Sequence, residues 1–220
     1  ISGSIVNNEF PLNSKRWKKN KSMMFISAGL QKINFIGDEI ILKHLGKFCE
    51  LNKIKLYYLC KYLPGNPSAK MLNYLPKGNW EYIRMKSRKK LYEMMNKQQL
   101  IVFTHSTLGF EAMAKGMKCL RIVKDLPKYP EAGRVFPVKG YYKKYGKSGE
   151  FWTNSLKFSD INKYLNKIIN CPYSKWKKII KMYSKEILSY DPHNYKIKKL
   201  IKNIINNKKQ IARLSEDLSL

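Results

Sequence analysis

A chain of 220 residues is long enough for one substantial hydrophobic core or two small ones. Its net charge of +29 rests on 38 lysines and 6 arginines. Arginine is the residue that reads bases and grips phosphate in a bidentate fork, so a lysine excess spread along the chain argues against specific nucleic-acid readout. No apolar run reaches the roughly 18 to 20 residues of a spanning helix, and the opening residues lack the charged and apolar regions of a signal peptide.

Residues 1–21 mix turn formers with a basic run and read as a linker segment. A strand–helix rhythm then begins. "SMMFISA" (22–28) has the length and apolarity of a buried strand, and the segment 35–53 places Ile36, Ile40, Ile41, Leu45 and Phe48 on one helical stripe. "IKLYYLC" (54–60) is the next strand, ending in a Pro/Gly loop, and a short strand is expected near "WEYIRM". Ser87 is placed to cap a helix with Leu91, Met94 and Met95 on its apolar side. "LIVFTH" (100–105) reads as a strand, 108–116 as a helix and "CLRIV" (119–123) as a further strand.

Strands too apolar to face water on either side, alternating with helices, predict an α/β fold: a Rossmann-like parallel sheet flanked by helices. After Lys124 comes a Pro/Gly/Tyr/Lys loop of about 25 residues, long enough to suggest function or mobility. From about 159, three amphipathic helices close the domain, built on Ile161, Tyr164, Leu165, Ile168 and Ile169, on Trp176, Ile179, Ile180, Tyr183 and Ile187, and on Ile197, Leu200, Ile201, Ile204 and Ile205. Each set is expected to bury one face. The domain therefore runs from 22 to 208, with 209–220 expected as a flexible tail. Cys49, Cys60, Cys119 and Cys171 show no CxxC spacing and lie in apolar segments, which predicts reduced structural thiols and a cytoplasmic setting.

Ligands of open α/β sheets sit beyond the carboxyl ends of the strands, where helix N-termini supply free N–H donors and partial positive charge. "VFTHSTLGFEAMAKGMKCLRIV" (102–123) occupies such a position. Ser106 or Thr107 caps the helix, Gly109 would let a ligand approach the first turn, and Glu111 falls one turn in, as an acceptor for a ribose hydroxyl. Phe110, Met113, Ala114 and Met117 are expected to face the sheet. A purely structural alternative follows from the same spacing: Ser106 as an N-cap only, and Glu111 paired with Lys115 at i+4. Ser27, ending the first strand, and Lys61, following the second, could line the same edge; His105 could donate to a phosphate or a leaving oxygen.

"THSTLGFEAMAKGMKCLRI" resembles the donor-domain motif of GT-B glycosyltransferase-like proteins of bacterial surface-carbohydrate and lipopolysaccharide biosynthesis. In that motif a Ser-Thr-Leu-Gly-Tyr/Phe-Glu-Ala run precedes a glycine and a strand. "GSIVNNEFP" and "GEFW" (149–152) are similar to the same group, and "ILSYDPHNYKIKKLIKNI" resembles its closing Asp-Pro-Gly-Asn helix start, with His193 where the family more often has glycine. The resemblance implies one half of a GT-B fold that binds a nucleotide sugar through Ser106, Thr107, Gly109 and Glu111. No cofactor is implied beyond the nucleoside-diphosphate or CMP sugar used as donor. GT-B enzymes work between two such halves, the acceptor half first, so catalysis by this half alone is not expected.

Other signals carry less. "GYYKKYGKS" (140–148) puts five residues between its glycines where a P-loop has four. There is no Asp-x-Asp, and His44, His105 and His193 are too scattered for a metal cluster. Asp191 and Asn194 are expected to cap the last helix. The expected function is metal-independent sugar transfer to a glycan or lipid-linked acceptor, together with an acceptor half. One alternative is a sugar-nucleotide epimerase of the same architecture, for which acids or histidines in the cleft are not evident. The other is a non-catalytic module whose lysines recruit partners or the anionic inner face of the plasma membrane.

Overall fold

The computed structural model describes residues 21–27, 36–60, 75, 79–83, 87–104, 106–122, 148–187 and 191–217. The linker segment 1–20, the Pro/Gly loop after the second strand and the long loop 123–147 lie outside them. Six strands form one sheet: β1 (Ser22–Ser27), β2 (Lys55–Cys60), β3 (Trp80–Ile83), β4 (Leu100–Phe103), β5 (Cys119–Ile122) and β6 (Trp152–Thr153). All neighbours pair in parallel in the order β3-β2-β1-β4-β5-β6. β1, β4 and β5 are buried along their whole length, which is why their sequences are continuous apolar runs rather than alternating ones. The two-residue β6, which starts at the last residue of "GEFW", is too short to announce itself by periodicity.

The helices are α1 (Ile36–Asn52), α2 (Arg88–Met95), α3 (Thr107–Ala114), α4 (Phe158–Asn170), α5 (Tyr173–Ile187) and α6 (Tyr195–Asp217). The β1-to-β2 and β4-to-β5 steps run in opposite directions from the middle of the sheet, so right-handed crossovers put α1 and α3 on opposite faces. α4 packs with α1, and α5 with α3. The core joins Phe25, Tyr58, Phe103 and Met113 on the sheet and α3 to Phe48 on α1, Leu165 on α4 and Trp176 on α5.

Local devices explain the boundaries. Ser87 Oγ accepts from Lys90 N–H at 3.3 Å and starts α2, as its position in the sequence predicts. α3 ends where Gly116 N–H donates to Met113 O at 2.8 Å and Met117 N–H to Ala112 O at 3.1 Å. This cap needs the left-handed φ of +84° that Gly116 adopts. The carbonyls of Gly116 and Met117 then accept from Trp176 Nε1, at 3.1 and 3.0 Å, pinning α5 to that turn. Phe151 of "GEFW" stacks edge-on against Trp152, Trp176 and Tyr183, so that motif ties β6 to α5.

Two expectations fail. Ala112, not Ala114, is the buried alanine of α3, while Phe110 does face the sheet, partly buried with its ring edge-on to Phe103 of β4. The stripe of α6 is not buried: Leu200, Ile201, Ile204 and Ile205 are about half exposed, at 58, 50, 49 and 48%. The helical periodicity there is real, but α6 continues to Asp217, past the boundary expected at 208, and its main contact among the described elements is the short turn before it.

Candidate functional site at the carboxyl edge of the sheet

The crossovers diverge between β1 and β4, and this switch point is where a doubly wound sheet opens a crevice beyond its strand ends. Ser27 closes β1 there and Thr104 follows β4; both are buried. Between them sits Asp38, from the first turn of α1 and only 5% exposed. Ser27 Oγ donates a hydrogen bond to Asp38 Oδ2. Burial raises the Asp38 pKa to about 6, and the Ser27 and Thr104 hydroxyls partly offset that. Thr104 Oγ1 makes no hydrogen bond of ordinary geometry among the described residues, yet its hydroxyl faces the carboxylate closely enough to favour the ionised form. Asp38 is thus a buried acid at the switch point that sequence reasoning missed. Its signal was a carboxylate in the first turn of the helix that follows a Ser-ending strand.

β4 leads directly into α3. Ser106 occupies the N-cap position with extended φ and ψ of −92° and 128°, but its hydroxyl makes no capping bond. The first turn closes through Gly109 N–H to Ser106 O at 3.1 Å, which leaves the N–H groups of Thr107 and Leu108 ahead of the helical ladder. The turn therefore presents backbone donors and two hydroxyls together at the positive end of a helix, a suitable set for an anion. Gly109 contributes differently from the sequence expectation. It is buried against the sheet, and a Cβ there would lie 2.1 Å from Phe103 Cγ, so its smallness serves helix–strand packing rather than ligand approach.

Glu111 lies one turn in and half-buried. Tyr92, from α2, donates its hydroxyl to Glu111 Oε2, and Lys115 holds its ammonium 4.3 Å from the centre of the Tyr92 ring. Burial lowers the Lys115 pKa to about 8, and the charge of Glu111 opposes that shift. Burial, reinforced by the Glu111 carboxylate, raises the Tyr92 pKa. The i+4 proximity of Lys115 is thus felt electrostatically, as the structural alternative expects, while Tyr92 is a partner that sequence spacing could not supply.

Arg121, buried in β5 beside Phe103, donates Nε–H to Thr104 O at 3.3 Å and lays its guanidinium 5.2 Å from the Phe110 ring centre. Its sequence signal was a single arginine inside "CLRIV". Of the predicted site residues, Ser27, Ser106, Thr107, Gly109 and Glu111 all lie at the carboxyl ends of β1 and β4 or in α3. Lys61 and His105 lie outside the described residues. Two depressions of about 380 and 240 Å³ lie elsewhere, one at the amino ends of β1 and β2 and one beside Trp176 and Cys171. Cys49 and Cys119 are buried free thiols, and burial pushes the Cys49 pKa up to about 12.

Sheet order and an open switch point define a Rossmann-like domain, and structural comparison makes it a GT-B-like half. The chain superposes on a "putative UDP-N-acetylglucosamine 2-epimerase" from Listeria monocytogenes with a TM-score of 0.57 at 9% identity, covering 95% of this chain and 53% of that one. It matches the UDP-GlcNAc 2-epimerase of Neisseria meningitidis bound to UDP-GlcNAc with a TM-score of 0.52 at 15% identity, covering 86 and 46%. It matches sucrose-phosphate synthase of Thermosynechococcus elongatus with a TM-score of 0.54 at 9% identity, covering 93 and 52%. The chain thus spans about half the length of these proteins, and at such identities the likeness is one of fold. Over residues 30–205 the sequence matches the family described as "putative O-antigen biosynthesis protein", and the chain belongs to that family. No curated protein sequence matches it.

Proposed function

We propose that this domain binds a nucleotide sugar at the carboxyl edge of its sheet and, joined to an acceptor-binding half, transfers the sugar during surface-polysaccharide assembly. The observation that carries the reading is the first turn of α3. The N–H groups of Thr107 and Leu108 precede the helical ladder there and the Ser106 hydroxyl makes no capping bond, next to the switch point, where a diphosphate would be met without a metal. The O-antigen family and the bound UDP-GlcNAc of the Neisseria epimerase support the ligand class. Glu111 is the acceptor for a ribose hydroxyl in this reading, oriented by Tyr92, with which the sugar must share the carboxylate. The helix donors would stabilise the leaving phosphate as the anomeric carbon is displaced. Lys61 and His105 are candidates to offset its charge or protonate it.

Calorimetric titration with UDP, CMP, CDP and GDP at two salt concentrations tests this. Salt-tolerant binding of one nucleotide is expected, weakened about tenfold by Ser106→Ala and by Glu111→Ala, in line with a lost hydrogen bond to a charged or polar ligand group. Equal, salt-labile binding of all four would reduce the site to nonspecific attraction by lysines.

A second reading has one observation in its favour. An epimerase needs an acid or base in the cleft, and Asp38, held partly protonated near neutrality, is such a group. Proton NMR of UDP-GlcNAc incubated with the protein in D₂O decides between them. Deuterium exchange at the sugar ring, abolished by Asp38→Asn, would favour epimerisation.

A further inference from the structure

We propose that Lys115 is a positioning residue for the nucleotide: its ammonium, held over the Tyr92 ring, fixes the Glu111 carboxylate for the ribose and couples binding to its own protonation. The inference rests on the donor-site reading above and adds to it a residue that touches no ligand. Lys115 is the C-cap of α3 and only 5% exposed. Lysine is almost never buried so far unless its charge is paired.

Three side chains from two helices make the cluster. The Tyr92 hydroxyl of α2 donates to Glu111 Oε2, and Lys115, one helical turn beyond Glu111, holds its ammonium 4.3 Å from the centre of the Tyr92 ring. A cation on that ring face polarises the phenol whose hydroxyl grips Glu111, so the bond is stronger while the ammonium keeps its charge. A carboxylate offers about four lone-pair sites and can therefore accept from Tyr92 and from a ribose hydroxyl at once. Burial lowers the Lys115 pKa to about 8 against the pull of Glu111, which brings its proton within reach of ordinary pH. Among the described residues, the other titratable groups facing the cluster are Arg88 of α2, whose charge is felt by Tyr92, and Tyr173 of α5, whose hydroxyl lies beside Gly116. Neither changes charge near pH 8: arginine stays protonated, and burial pushes the Tyr173 phenol up as it does that of Tyr92. Lys118, whose pKa burial also lowers, stands before β5 at the opposite edge of the sheet and donates to Ile169 O.

The test is the affinity of the full chain, as wild type, Lys115→Arg and Lys115→Met, for UDP, CMP, CDP and GDP at about pH 7 and about pH 9, by calorimetry. Lys115 loses most of its charge across that interval, whereas surface lysines, with pKa values near about 10.4, keep theirs. Wild-type affinity for the nucleotide that binds should fall about fivefold or more, the low end of ordinary coupling between two sites. Lys115→Arg, charged at both pH values, should bind equally at the two. Lys115→Met should bind weakly and equally at both, and it carries the comparison alone if the larger arginine lowers the melting temperature. Binding by wild type that is indifferent to pH, or that falls by the same factor in the variants, would overturn the role of Lys115, and the donor-site reading would still stand on Ser106→Ala and Glu111→Ala. A lysine that only anchored the end of α3 would give that second result, with its effect confined to the melting temperature. No nucleotide binding by wild type at either pH would overturn both.

Discussion

At the residue scale, Asp38 shows most clearly what folding adds. Its pKa rises from 3.8 unfolded to about 6 folded, so the native state holds the proton more tightly than the unfolded chain does. Stability from this group is therefore full below about pH 4 and is lost as pH rises through about 6, a difference of about 3 kcal/mol at neutral pH. Asp38→Asn, which keeps an acceptor for Ser27, should gain up to about that much stability at pH 7.5 and almost none at pH 4. Urea denaturation at the two pH values checks it; a variant less stable at pH 7.5 would show that the ionised carboxylate is required. Ser106, Thr107 and Glu111 were legible as a group because a strand running into a small-residue helix is a local pattern. Asp38, Tyr92 and Arg121 were not, because each meets its partners across elements that only the fold brings together: β1 with α1 and β4, α2 with α3, and β5 with β4.

At the element scale, α3 is held by close contact with β4. Gly109→Ala should improve intrinsic helix propensity by about 1 kcal/mol, yet the new methyl would meet the Phe103 ring. The clash should dominate, with a net loss of about 1–3 kcal/mol in chemical denaturation, partly recovered by Phe103→Leu in the same background. The turn before α6 has a similar logic. Asp191 Oδ2 accepts from Lys196 N–H at 2.9 Å and Asp191 O from Asn194 N–H at 3.0 Å, the capping role its sequence position suggests. His193 there adopts a left-handed φ of +55°, a conformation that glycine takes up at least cost. Periodicity found every long helix, including α6. It could not say which apolar faces would be covered, because period 3.6 reports that a face exists and not what lies opposite.

At the scale of the whole molecule, a charge of +29 on 220 residues opposes compaction through self-repulsion. Raising salt from about 20 to 200 mM shortens the screening length from roughly 20 to 7 Å, so the melting temperature should rise with salt; a fall would mean that ion pairs such as Lys55–Glu81 and Lys167–Glu150 outweigh the repulsion. The sequence by itself determined the α/β class, five of the six strands, the helices and the Ser-Thr-Leu-Gly segment at a strand end, because hydrophobic period, strand length and capping residues act over neighbouring positions. The strand order that puts the switch point between β1 and β4, the two-residue β6, the raised pKa of the buried Asp38 and the exposed stripe of α6 came only with the tertiary structure. Those depend on which surfaces meet across long stretches of chain, and burial, not local propensity, sets their energies.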